Sequence, residues 1–292
     1  MPGFRVSVTL PGVETTRLLL SCPDRPGIVA RVAGFLADAG RNIIDADQHS
    51  TERARLFMRL VFESARGEER AALYGRFAEE VAGPLEMEHR FAESDRLPRV
   101  AVMASREDHC LLDLLWRFRS GELPGEPVLV ISNHPDHEEA VRSFGLPYHH
   151  VVVTHESKPD AERAALEVMR GQIDLLVLAR YMQILSGKFL ESLGCPAINI
   201  HHSFLPAFAG ADPYQRAWER GVKLIGGTAH YVTEDLDAGP IIEQDTARIS
   251  HRDEISDLVR IGRDIERLVL ARAVRNHLED RVLVDGERTV VF

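Results

Sequence analysis

The chain is poor in cysteine, poor in lysine and free of long apolar runs, and each lack excludes something. Cys22, Cys110 and Cys195 are far apart, odd in number and form no CxxC pair, which excludes a disulfide framework and a cysteine zinc site. A reducing, cytoplasmic setting is expected. Lysine occurs only as Lys158, Lys188 and Lys223, every other basic residue being arginine, and this skew carries no functional conclusion. Acids outnumber bases 45 to 35, a formal net charge of −10, so no basic field exists to hold a nucleic-acid backbone by counterion release. Nucleic acid is excluded as a general partner. No run approaches the roughly 20 apolar residues that cross a bilayer, and residues 1–16 lack the apolar core of an export signal, so no membrane association is expected. The nucleophile elbow GxSxG, the dinucleotide loop GxGxxG, the phosphate loop GxxxxGK[ST] and the metal helix HExxH are all missing.

What is present is ordinary globular material, 292 residues with 45 % hydrophobic and 27 % charged, enough for two domains. From Thr16 to Phe91 the pattern reads strand, helix, strand, strand, helix, strand. The run Arg17 to Ser21 stops at a Pro- and Gly-rich turn ending in Gly27. Ile28, Val32, Phe35, Leu36 and Ala39 then form one helical stripe closed by Gly40. Asn42 to Gln48 and Leu56 to Phe62 read as strands, Leu73, Phe77 and Val81 as a second helix, and Leu85, Met87, His89 and Phe91 as a last strand. This βαββαβ order is the ferredoxin-like unit. A polar stretch from Glu93 to Pro98 reads as a linker, which divides the chain into residues 1–95 and 96–292.

Beyond the linker, strand and helix alternate, the pattern of an open, mostly parallel α/β sheet. The strands are Val100 to Ala104, Val128 to Ser132, His149 to Val153, Leu175 to Leu178 and Ala197 to Ile200. Ligands on such sheets gather beyond the carboxyl ends of strands, which here means after Ser132, Leu178 and Ile200. A long helix is expected over Ser250 to Leu278 with Ser250 as its N-cap, followed by a hairpin turned at Asp285-Gly286.

Two polar clusters could carry chemistry. Asn199 and His201 lie two residues apart on a strand, so they share a face, where an amide donor and an imidazole could polarise a carbonyl and hold an oxyanion. The same residues read equally well as a strand-end asparagine and surface histidines. The second cluster, Gly226 to Pro240, runs from an alternating strand into a loop with Glu234, Asp235 and Asp237, any one of which could set the protonation of His201 or simply be solvated. Thirteen histidines invite a metal, but His149-His150 and His201-His202 are adjacent and face opposite ways on a strand, and His134 and His137 sit in a turn. No metal site is expected. The segment Ser105 to Cys110, after the first sheet strand, holds no glycine and two acids, Glu107 and Asp108, which is poor material for a phosphate cradle.

These motifs resemble the folate-dependent formyltransferase superfamily: Asn199-Ile-His201 with Ser203-Phe-Leu-Pro206, then His230 to Ile242 with its Asp-Ala-Gly-Pro turn. The resemblance implies that Asn199, His201 and Asp237 are catalytic. It implies that Met182, Gln183, Ile184 and Leu185, with Val232, Thr233, Glu234 and Asp235, bind a pterin. The first domain, with Asp24 to Gly27 ahead of its helix, resembles an ACT domain, which implies an amino-acid effector near Gly27 and Asn42, glycine or methionine, and a homo-oligomer.

An ACT domain ahead of a formyltransferase-like domain is the arrangement of the formyltetrahydrofolate deformylase family. It implies hydrolysis of 10-formyltetrahydrofolate to formate and tetrahydrofolate without metal or redox cofactor, supplying formate for purine synthesis and balancing one-carbon pools. The missing phosphate loop fits water as the nucleophile. Transfer to an amine acceptor and a non-catalytic folate- or amino-acid-binding regulator are the alternatives. Asp212 and Gln215 depart from the family's pattern and leave their substrate contacts open.

Overall fold

The protein is described by a computed structural model over residues 14–205 and 213–292. Its contacts divide the described residues into two compact units, 14–96 with 280–283 and 290–292, and 97–205 and 213–279 with 284–289. The last few residues, placed by the sequence with the second domain, therefore group with the first.

In the first unit the elements are β1 (Thr15–Pro23), α1 (Ile28–Asp38), β2 (Ile43–Ser50), β3 (Arg55–Glu63), α2 (Glu68–Phe77) and β4 (Glu88–Glu93), in an antiparallel sheet of order β2-β3-β1-β4. Alternation puts Leu18, Leu20 and Cys22 of β1 and Leu56, Met58, Leu60 and Phe62 of β3 on the inner face. There they meet Ile28, Val32, Phe35 and Leu36, the stripe of α1. Helix α1 ends as the sequence predicts: Gly40 is left-handed at φ 69°, its N–H bonds the Ala37 carbonyl and that of Arg41 bonds the Leu36 carbonyl. The second helix is shorter than its stripe suggests. It widens after Phe77 into a π turn over Ala78–Ala82, and Glu86 at φ 52° keeps the chain turning, so Leu85 and Met87 precede β4 instead of belonging to it.

The second unit contains β5 (Arg99–Ala104), α3 (His109–Arg119), β6 (Glu126–Ser132), α4 (Glu138–Ser143), β7 (Tyr148–His150), α5 (Lys158–Met169), β8 (Leu175–Ala179), α6 (Gly187–Leu193), β9 (Ala197–His201), α7 (Pro213–Arg220), β10 (Leu224–Tyr231), β11 (Ile241–Arg248) and α8 (Ile255–Leu278). The sheet order is β11-β10-β9-β8-β5-β6-β7. The five strands read from the sequence form its parallel part, and β10 and β11 extend it antiparallel beyond β9. β5 and β8 are buried throughout except for Arg99, as strands covered on both faces must be. Helix α8 is capped four residues later than expected. Ser250 sits in a preceding turn, and the cap is Glu254, whose side chain and that of Asp257 exchange hydrogen bonds with each other's backbone.

After α8 the chain closes with a hairpin, β12 (Val282–Asp285) and β13 (Arg288–Val291), turned at Gly286 with φ 62°. Just ahead of it, Asp280 meets three arginines of the first unit. Arg17 Nη1 lies 2.9 Å from Asp280 Oδ2, Arg90 Nη2 bonds Oδ1 and Arg59 Nε donates to the Asp280 carbonyl at 3.0 Å. Arg59 is 3 % exposed, and this carbonyl together with Asp45 Oδ2, 3.3 Å from its Nη1, makes its burial in a sheet face tolerable.

Candidate active site

The site is assembled by strand pairing. In the antiparallel register of β9 and β10, Asn199 lies opposite His230 and His201 opposite Thr228, so period two puts both β9 residues and His230 on one face. The loop after β10 then returns Asp237. His201 Nδ1 lies 3.2 Å from Asp237 Oδ2. A carboxylate can only accept, so Nδ1 carries the proton, and the buried Nε2 is left without a partner among the described residues. His230 Nδ1 donates to the Tyr231 carbonyl at 2.9 Å, so its Nε2 accepts from Asn199 Nδ2 at 3.3 Å. One N–H of the Asn199 amide is thereby anchored and the other is left for a ligand.

Asp237 is held well below the usual carboxylate range by the His201 hydrogen bond, with His230 second and burial opposing. At 3.8 Å His230 Nε2 is too far for a full hydrogen bond, so His201 carries most of that effect. Asp237 also sits at φ 55°, a left-handed conformation that costs a non-glycine residue about 1 kcal/mol or more. The turn behind it enforces this: a Cβ on Gly239 would lie 1.8 Å from the Tyr231 carbonyl oxygen, so only glycine lets the loop fold back on β10.

Asn199, His230 and Asp237, though not His201, line a cavity of about 410 Å³. Its walls include Met182, Gln183, Ile184 and Leu185 from the segment after β8, and Val232, Thr233, Glu234 and Asp235 from the loop after β10. The cavity opens after β8 and β9 but not after β6, where the sequence also places it. The segment after β6 supports the wall instead. Asn133 Oδ1 accepts from Ser105 Oγ at 2.7 Å, and Ser105 Oγ accepts from the Met182 N–H at 3.0 Å. The glycine-free segment after β5 thus fixes the backbone of the cavity loop with a hydroxyl.

Comparison with known proteins decides the family. The Formyl transferase profile matches residues 98–274 and the ACT domain profile residues 16–75. A formyltetrahydrofolate deformylase of Mycobacterium bovis is 57 % identical over 94 % of this chain and 90 % of its own. The chain belongs to the formyltetrahydrofolate deformylase family. The Bacillus subtilis member is 49 % identical over 94 % of this chain and 93 % of its own. The crystal structure of a family member from Pseudomonas syringae superposes with a TM-score of 0.93 at 48 % identity, covering 97 % of this chain and 95 % of that one. A glycinamide ribonucleotide transformylase from Symbiobacterium toebii covers only 67 % of this chain, at 31 % identity and a TM-score of 0.63.

This deformylase-family cavity includes groups that the sequence did not single out. His230 is invisible without strand register. His202 lines the cavity, and burial first, then the Arg180 charge, pulls its imidazole down to about 3, so it stays neutral at any working pH. Arg180, left-handed at φ 61°, ends β8 and places its Nε 3.4 Å from Glu266 of α8, which is 1 % exposed. Glu266 also accepts from His109 Nε2 at 2.8 Å and from the Tyr214 hydroxyl. A Cβ on Gly262 would strike that hydroxyl at 1.9 Å, so a glycine in α8 makes room for it.

His109, Cys110 and Glu266 bring three candidate ligand atoms within 4.8 Å of one another. Both Glu266 oxygens are already hydrogen-bonded, and burial pushes the Cys110 thiol far up, so the group fits a closed polar network and not a cation. Glu107, read from the sequence as repelling phosphate, is bridged to Arg263. Gln215 bonds Glu219 at 2.6 Å on α7, while Asp212 lies outside the described residues. In the first unit Gly27 caps α1 in a left-handed conformation at φ 93°, and the Asn42 carbonyl accepts from Glu63 N–H at 3.1 Å.

Proposed function

We propose that the protein hydrolyses 10-formyltetrahydrofolate to formate and tetrahydrofolate. The observation that carries this is the His201–Asp237 pair beside a cavity, with His201 Nε2 and one Asn199 N–H lacking a partner among the described residues. Water held by Asp237 and His201 adds to the formyl carbon and gives up a proton to this pair. The oxygen that becomes negative takes hydrogen bonds from Asn199 Nδ2 and His201 Nε2. Collapse breaks the bond from the formyl carbon to N10, and the proton returns from His201 to N10 as tetrahydrofolate leaves. The ionised Asp237 keeps the imidazole oriented and stabilises its protonated form.

Met182 to Leu185 and Val232 to Asp235 would enclose the pterin. Such hydrolysis needs proton transfer and charge stabilisation, which these side chains supply. Formate release from 10-formyltetrahydrofolate with no amine present is the test, and turnover that requires an acceptor would sink the proposal.

The ACT-matched first unit is read as an amino-acid sensor, with glycine or methionine as effector beside Gly27 and Asn42 and with a second copy of the chain as its natural partner. The α1 N-terminus supports this, since Gly27 provides no side-chain cap and leaves first-turn N–H groups for a carboxylate. Calorimetry of the full chain should register heat with one of the two amino acids, and heat with neither removes the assignment. No helix among the described residues is long and apolar enough to cross a membrane, and a cytoplasmic role in supplying formate for purine synthesis fits this reading.

A further inference from the structure

Between α5 and α6 lies a groove of about 650 Å³, larger than the active-site cavity and without a part in the reaction above. Four cationic side chains line it, Lys158, Arg163, Arg170 and Lys188. In a chain of net charge −10 whose only lysines are three, two stand in this one groove. Other exposed helical arginines, such as Arg142 and Arg76, meet a carboxylate one turn away, Glu138 and Glu80. Among the described residues Lys158, Lys188 and Arg170 meet none, and only Arg163 is paired, with exposed Asp160. The one carboxylate lining the groove, Glu162, is taken up by the Ser186 N–H at 3.0 Å and its hydroxyl at 2.6 Å. The groove therefore faces solvent with more positive than negative charge.

It also adjoins the active-site cavity. Gln183, Ile184 and Leu185 line that cavity and a narrow gap beside it, and the gap is lined in turn by Lys158, Glu162 and Phe189 of the groove. A substrate whose formyl group lies at Asn199 and whose pterin lies against Met182 to Leu185 must send its other end out of the cavity. In a folate that end is a glutamate bearing carboxylates.

We propose that the groove binds a carboxylate-rich extension of the folate, a chain of further γ-linked glutamates. This rests on the hydrolase reading above. Single exposed ion pairs are weak, but several made by one tethered chain act together and give a preference of about tenfold.

The test uses the full-length enzyme with mono- and pentaglutamyl forms of 10-formyltetrahydrofolate, and the double variant Lys158→Ala/Lys188→Ala. The wild type should show a KM about tenfold lower for the pentaglutamate, shrinking as salt is added. The double variant should lose that advantage while its kcat and KM for the monoglutamate stay unchanged. Equal KM values in the wild type, or an advantage that survives in the double variant, would overturn the proposal. Calorimetric Kd values for mono- and pentaglutamyl tetrahydrofolate read the groove without turnover. A groove preference without acceptor-free formate release would therefore break the hydrolase reading alone, and release without a preference would break the groove alone.

Discussion

Two carboxylates of the second unit, the part-buried Asp237 and the buried Glu266, are both held low and yet do different work. Asp237 is lowered by His201, whose second ring nitrogen has no partner among the described residues and is left for a ligand. Glu266 is pushed up by burial but brought down further by His109, Arg180 and Tyr214, which leave neither of its oxygens open. A lowered carboxylate is therefore not by itself a reactive one. Each pair leaves a histidine nitrogen without a partner among the described residues, His201 Nε2 and His109 Nδ1, so what separates the two acids is that Glu266 also holds Arg180 and the Tyr214 hydroxyl while Asp237 answers histidines alone.

Replacing each acid tests the distinction most strongly. Asp237→Asn should cut kcat by roughly 10²- to 10⁴-fold in an acceptor-free formate assay with little change in tetrahydrofolate affinity, because the imidazole loses its anionic partner. Glu266→Ala should act on folding, leaving Arg180 without its buried counter-charge and His109 and Tyr214 without their acceptor. About 3–5 kcal/mol of urea-unfolding stability should be lost. A Glu266→Ala enzyme of wild-type stability would erase the contrast. Both acids bind protons less readily folded than unfolded, so their stabilisation is complete above about pH 4–5 and lost as pH falls further.

His202 sharpens the comparison at milder pH. Its folded value of about 3 lies below the roughly 6.5 of an unfolded histidine, so the unfolded state binds the extra proton between them. Stability should fall on acidification from about pH 6.5 by up to about 1.4 kcal/mol per pH unit. Urea midpoints between pH 7 and 5 should be flatter in His202→Gln, and parallel curves would refute the assignment. The smallest effect is expected at Ser105→Ala, which strips the Met182 N–H of its acceptor. KM should rise several-fold, for about 1 kcal/mol, at unchanged kcat.

Much of this was legible in the sequence where periodicity speaks. The stripe of α1, its Gly40 stop and the five parallel strands follow from spacing alone. β11 was not legible, because Ile241–Arg248 is half polar and exists as a strand only by pairing with β10. Asn199, His201 and Asp237 came from a motif, whereas His230 depends on a cross-strand register that no local window contains. Ser105 read only as a missing glycine, since a hydroxyl that holds a distant backbone N–H leaves no local pattern. Glu266 looks like one more charge on a long helix, and only the arrival of Arg180, His109 and Tyr214 from three other segments gives it a role.

The Asp280 anchor bears on how the molecule is made. Synthesis delivers Arg17, Arg59 and Arg90 early, but the residue that satisfies them comes nearly two hundred positions after the last of these. On the ribosome Arg59 has Asp45 and Asp47 of the first unit beside it, but it must wait for the Asp280 carbonyl that takes its Nε until the chain is almost complete. A fragment cut after residue 95 inherits that wait permanently. The segment that begins first is thus finished last, and a faithful excised sensor would need residues 280–283 and 290–292 supplied as a second piece.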